Sequence, residues 1–148
     1  MSITLRMDGL ESLQADLRRA SADARARVDD AINGTGVELV GEIQKAYLSG
    51  PASGRVYELY DPRRTHKASA PGEAPATDQG DLVKYTLFES VSPLAVTVFL
   101  DGVVGIRGAA LEFGTSRIDP RPVWVPAVEK MTPKFVRRVE RALEEAFR

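Results

Sequence analysis

The amino-acid sequence predicts an α+β fold in which helices cover one face of an antiparallel sheet. Three observations carry that reading. Apolar residues recur at helical spacing over residues 9–48 and again near the carboxyl end, short β-prone runs crowd the middle third, and an Asp-Gly pair joins two of those runs. A chain of 148 residues, 43% of them hydrophobic, fits a single domain over 1–148, with a core that buries roughly two thirds of the surface an unfolded chain of this size exposes.

The elements follow in chain order. SITLRM sets Ile3, Leu5 and Met7 on one side and Ser2, Thr4 and Arg6 on the other, the alternation of a half-buried strand, and Asp8 follows as a helix cap. Leu10, Leu13, Leu17, Val28, Ile32, Leu39, Ile43 and Tyr47 then keep the 3.6-residue repeat of one long helix or two in line. Asn33, Gly34 and Gly36 predict a kink or break there, since each glycine costs about 1 kcal/mol against alanine in a helix interior. Ser49, Gly50 and Pro51 end the helix. TLFESV, LAVTVFL and VVGI read as a three-stranded meander, to which the amino-terminal strand can add. Asp101-Gly102 is a strong short-range hairpin signal between the last two. Phe135, Val136, Val139, Leu143, Ala146 and Phe147 share one face of a terminal helix, with Thr132 and Pro133 as its cap and first position.

Charge and composition exclude several functions. Twenty basic against 21 acidic residues leave a net charge of -1, so bulk electrostatics gives no general affinity for nucleic acid or an anionic membrane. Cysteine is absent, which removes disulfides, thiolate zinc sites and cysteine nucleophiles and suits a reducing cytoplasm. The first residues lack the apolar run of a signal peptide, and no stretch approaches the ~18 apolar residues of a membrane span, so a soluble chain is expected. An acid-base pair would need His66, the only histidine, which stands beside Lys67 with no rigid orienting partner evident and reads as a solvated or interface side chain. Glu73, Asp78 and Asp81 match no calcium-loop spacing, and Asp81 serves more simply as a helix-start residue. The spread glycines of GVVGIRGAALEFG are followed by no Gly-Lys-Ser/Thr, so a phosphate-binding loop is missing. No catalytic residue, metal or cofactor is expected.

Two segments stand outside this plan. Residues 50–80 hold four of the nine prolines and four of the 12 glycines, too little apolar content to offset backbone ordering, and read as a long extended loop. Arg63, Arg64, His66 and Lys67 form its one cationic patch, a solvated loop or a contact for acidic protein or DNA phosphates. The other segment is ALEFGTSRIDPRPVWVPAVEK. There Leu111, Phe113, Val123 and Trp124 read as core or staple residues, while Glu112, Thr115, Arg117 and Arg121 suit polar interface contacts, with an Arg121–Glu112 salt bridge fixing the loop.

Together the two segments carry a resemblance. Ala68, Ser69, Pro71, Gly72, Pro75, Asp78, Gly80 and Leu82, then Glu112, Phe113, Gly114 and Thr115, then Arg121, Pro122, Pro126 and Ala127 stand in the order of a recurring pattern. Over that stretch the chain resembles the tail-completion or head-tail joining proteins of long-tailed double-stranded DNA bacteriophages. Gln79, Tyr85 and Val123 depart from the family's usual threonine, serine and phenylalanine, with Trp124 next to Val123. The resemblance implies a structural virion protein of the neck or tail, present in the host cytoplasm during assembly. It would form a ring-shaped homo-oligomer, a hexamer by analogy with tail symmetry, between a head-closure or connector protein and the tail tube, with genomic DNA passing through the lumen. Residues 50–80 then become an assembly arm, in which Arg63, Arg64, His66, Lys67, Ser69, Pro71, Glu73, Pro75 and Asp78 meet a neighbouring subunit or ring. A head-closure ring on the capsid side is the alternative within this class. A small nucleic-acid-binding or nuclease-like regulator using the cationic patch is the alternative outside it.

Overall fold

A computed structural model describes residues 10–148. It is α+β, and its spine is α1, Leu10–Leu48, a helix of 39 residues. The break expected at Asn33–Gly36 is absent. Asn33 Nδ2 donates to the Asp29 carbonyl at 2.9 Å and Thr35 Oγ1 to the Ala31 carbonyl at 2.7 Å, so both polar side chains turn back onto the helix. Gly36 is buried where a Cβ would lie 3.1 Å from Val96 Cγ2, which makes this glycine a place of close packing and not of bending. The expected strand at residues 2–7 and the cap at Asp8 lie outside the described residues.

Residues 50–80 are not the structureless loop expected. β1, Val56–Tyr60, pairs antiparallel with β2, Arg63–Lys67, across a tip at Asp61 and Pro62. Val56, Tyr57, Tyr60 and Thr65 favour a strand locally, a preference hidden when composition is averaged over the whole proline-rich segment. The stretch after β2 is tied down as well: Ala68 N donates to the Arg55 carbonyl at 2.9 Å and Thr77 Oγ1 to the Tyr47 carbonyl at 2.6 Å.

A short helix α2, Asp81–Lys84, begins at Asp81 as expected. β3, Thr86–Ser92, and β4, Ala95–Leu100, follow and pair antiparallel, with a bulge between Ser90 and Ser92. The third strand of the meander is replaced by α3, Gly102–Phe113, with Asp101 at its N-cap. VVGI is a β-prone window of four residues, but Arg107, Ala109, Ala110, Leu111 and Glu112 continue it with strong helix formers, and the longer window decides. The sheets are therefore two separate two-stranded hairpins, β1–β2 and β3–β4.

The last helix, α4, runs Trp124–Ala146 and contains Pro133, so Thr132 and Pro133 do not start it. Thr132 Oγ1 donates to the Val128 carbonyl within the helix, at 2.8 Å. α4 packs antiparallel along α1. Arg27 reaches Glu145 at 3.2 Å, Arg138 reaches Thr35 at 3.1 Å and also Glu38, and Lys130 pairs with Glu42. Exposed pairs of this kind contribute little. The seam rests on Ala31, Ala127, Met131 and Ala142, all buried, and the central cluster is Ile43, Tyr47, Val123 and Ala127 with Leu39, Leu82, Val83, Val98 and Trp124 packed around it.

Several expected core residues lie outside: Phe113 is 77%, Val136 45%, Leu143 40% and Phe147 64% exposed. Leu143 belongs to a second line on α4, with Val125, Val128, Val136 and Phe147, that faces away from α1.

Candidate assembly interface

The ALEFGTSRIDPRPVW segment folds into a latch. α4 has no cap of its own, because Val123 at its N-cap position offers no side-chain oxygen. Glu112, at the end of α3, supplies one from a distance. Its Oε2 accepts from Val123 N at 2.7 Å and Trp124 N at 3.0 Å, and its Oε1 accepts from Val125 N at 2.9 Å. A carboxylate at this place satisfies three orphan donors and meets the positive end of the helix dipole. Glu112 is buried, and its role is internal.

Arg121 does not pair with Glu112. Its guanidinium donates to Ser69, from Nε to Oγ at 3.0 Å and from Nη2 to the carbonyl at 3.2 Å, while its backbone N–H meets the Leu111 carbonyl at 2.6 Å. The expected salt bridge fails because three helix N–H groups already occupy the carboxylate. Arg121 instead ties the loop before α4 to the stretch after β2. Ser69, 1% exposed, is thus a buried acceptor and not a surface contact. Gly72 N adds a bond to the Pro120 carbonyl at 2.9 Å.

The remaining predicted residues divide in the same way. Pro75 is buried, and its carbonyl comes so close to Gly50 that a Cβ there would lie 2.1 Å from it. Glu73 accepts from Ala70 N at 3.1 Å and from Ser53 Oγ. Thr115 Oγ1 accepts from Arg117 N at 3.2 Å and Ile118 N at 3.1 Å, closing the turn after α3. Asp78 gathers part of the cationic patch, with Arg64 Nη2 at 2.6 Å and His66 Nδ1 at 3.8 Å, so His66 has a carboxylate neighbour that the sequence did not reveal. Arg63, Lys67, Pro71 and Arg117 are exposed, and the three cations among them make no ion pair among the described residues.

The hairpin register sorts β1–β2 into two faces. Tyr57 opposite His66 and Leu59 opposite Arg64 form the inner face. They overlook an open cleft of about 510 Å³, whose far wall includes Arg107, Leu111 and Ile118. Val56 opposite Lys67, Glu58 opposite Thr65 and Tyr60 opposite Arg63 form the outer face, and every one of these six residues is exposed.

Beside this cleft stands the feature that the sequence reading missed. α3 is apolar nearly all round, yet only one side of it is covered. Gly108 and Glu112 are buried, while Val103, Ile106 and Phe113 are 83%, 76% and 77% exposed. A helix without a polar face is ordinarily enclosed on every side. The signal was present in the apolar run GVVGIRGAALEF, but it was divided between a strand and a loop.

Tyr47 anchors the base of the site. Its hydroxyl accepts from Trp124 Nε1 at 2.8 Å, and burial pushes its pKa up to about 12, with Trp124's donated bond pulling the other way and the Glu112 charge adding to the rise. No cluster of three metal-ligating His, Cys, Asp or Glu side chains occurs among the described residues. Against protein-family models, curated proteins and solved structures alike, the chain finds no match.

Proposed function

We propose that the chain is a structural virion protein of the bacteriophage neck or tail, of the tail-completion class that its sequence resembles, acting as a ring-forming homo-oligomer that joins tail to head. Its chemistry is binding in sequence, not turnover. One observation carries the reading: Val103, Ile106 and Phe113 on α3, Val125, Val136 and Phe147 on α4, and Val56 and Tyr60 on the β1–β2 hairpin are all exposed, more apolar surface than scattered single side chains account for. A subunit of a ring needs such surface because it must bury one patch against each neighbour. The residues that carry the resemblance act here as a connected latch. Ser69, Arg121 and Glu112 join the arm, the loop and α4 into one support from which the hairpin and α3 project.

Immunogold labelling of purified particles tests this reading. Label is expected at the head-tail junction of the virion; label confined to the distal tail or the capsid shell, or a protein absent from finished particles, overturns it.

A further inference from the structure

We infer that the outer face of the β1–β2 hairpin of one copy docks on the uncovered side of α3 of the next copy, head to tail. The inference rests on the ring reading above and specifies which surfaces make the ring.

The hairpin supplies the first argument. A lone two-stranded hairpin is marginally stable in water. β1–β2 nevertheless leaves Val56 56% and Tyr60 77% exposed. α3 supplies the second. Val103, Ile106, Ala110 and Phe113 fall at spacings of three, four and three residues, which puts them in one stripe opposite the buried Gly108 and Glu112.

The two surfaces agree in length and in charge. From Val56 to Tyr60 a strand runs about 13 Å. From Val103 to Phe113 a helix runs about 15 Å. Arg63 and Lys67 flank the hairpin's apolar residues, exposed and in no ion pair among the described residues. Asp101 precedes the α3 stripe, and Asp119 is brought back to its far end by the bond from Arg121 N to the Leu111 carbonyl; both are exposed and equally without an ion partner among the described residues. Glu58 stands between the two cations on the hairpin face, and Arg107, which also pairs with Asp81, stands between the two ends of the α3 stripe, so that plus, minus, plus can meet minus, plus, minus; charges so arranged set both register and partner.

Because the two patches differ, the contact is heterologous, and repeated it closes into a ring when the rotation allows.

The absence of native cysteine makes the test direct. Cysteines cross-link only when their Cα atoms come within about 7 Å. A panel combines Val56→Cys or Tyr60→Cys with Val103→Cys, Ile106→Cys or Phe113→Cys, each full-length and each checked by thermal melting. On mild oxidation, mixtures of a hairpin variant with an α3 variant should give disulfide dimers that neither gives alone, and a double variant should give a ladder ending at one closed size. Ile106→Asp should weaken association at least tenfold with an unchanged melting temperature. Wild-type oligomers that form without any hairpin-to-α3 cross-link overturn the docking and leave the ring; a protein monomeric at every concentration overturns both.

Discussion

Glu112 is a buried carboxylate whose partners are all backbone, and that fixes what its loss should do. Glu112→Ala leaves the N–H groups of Val123, Trp124 and Val125 without their acceptor in a closed environment, and should destabilise the subunit by about 2–4 kcal/mol. Glu112→Gln keeps an acceptor oxygen and should lose less; urea denaturation of both variants checks the order. Tyr47 makes a pH prediction at the same scale. Its folded pKa, about 12, lies above the ordinary tyrosine value of about 10, so the unfolded chain ionises first as pH rises. The stability this gives is intact below pH ~10 and is lost as pH climbs through ~12. Melting curves from pH 9 to 12 should fall more steeply for the wild type than for Tyr47→Phe, in which that loss is absent.

Helices and hairpins show how far pattern reaches. α1 and α4 were legible because their repeat runs over many turns, and β3–β4 because LAVTVFL alternates between its faces. α3 was not, since an Asp-Gly pair and two valines outweighed the helix formers behind them. The start of α4 was hidden for a different reason: its cap comes from Glu112, eleven residues before Val123, and no local pattern records a remote cap. Of the candidate site, the Ser69, Glu112 and Arg121 positions were legible as a group, but their inward direction was not, because which way a polar side chain turns is a tertiary outcome. The packing face of α4 gives a prediction that separates its two apolar lines. Met131, 3% exposed, faces α1, so Met131→Asp should cost roughly 3 kcal/mol or more. Leu143→Asp, on the outer line, should stay within about 1 kcal/mol in the isolated subunit, as read by denaturant midpoint.

For the whole molecule, the central matter is surface. The latch residues hold the subunit together, and the α1–α4 pair with β3–β4 gives it a core, yet α3 and β1–β2 leave apolar side chains in water on a scale that a solitary domain of this size does not require. A second copy is the occupant proposed for both, and the account therefore stands or falls on self-association. The most direct measurement is the mass of the purified full chain by light scattering across a wide concentration range. A closed ring gives one discrete species at a whole-number multiple of 16.1 kDa that stops growing once closed; a mass of 16.1 kDa at every concentration, or a mass that keeps rising without limit, rules the ring out.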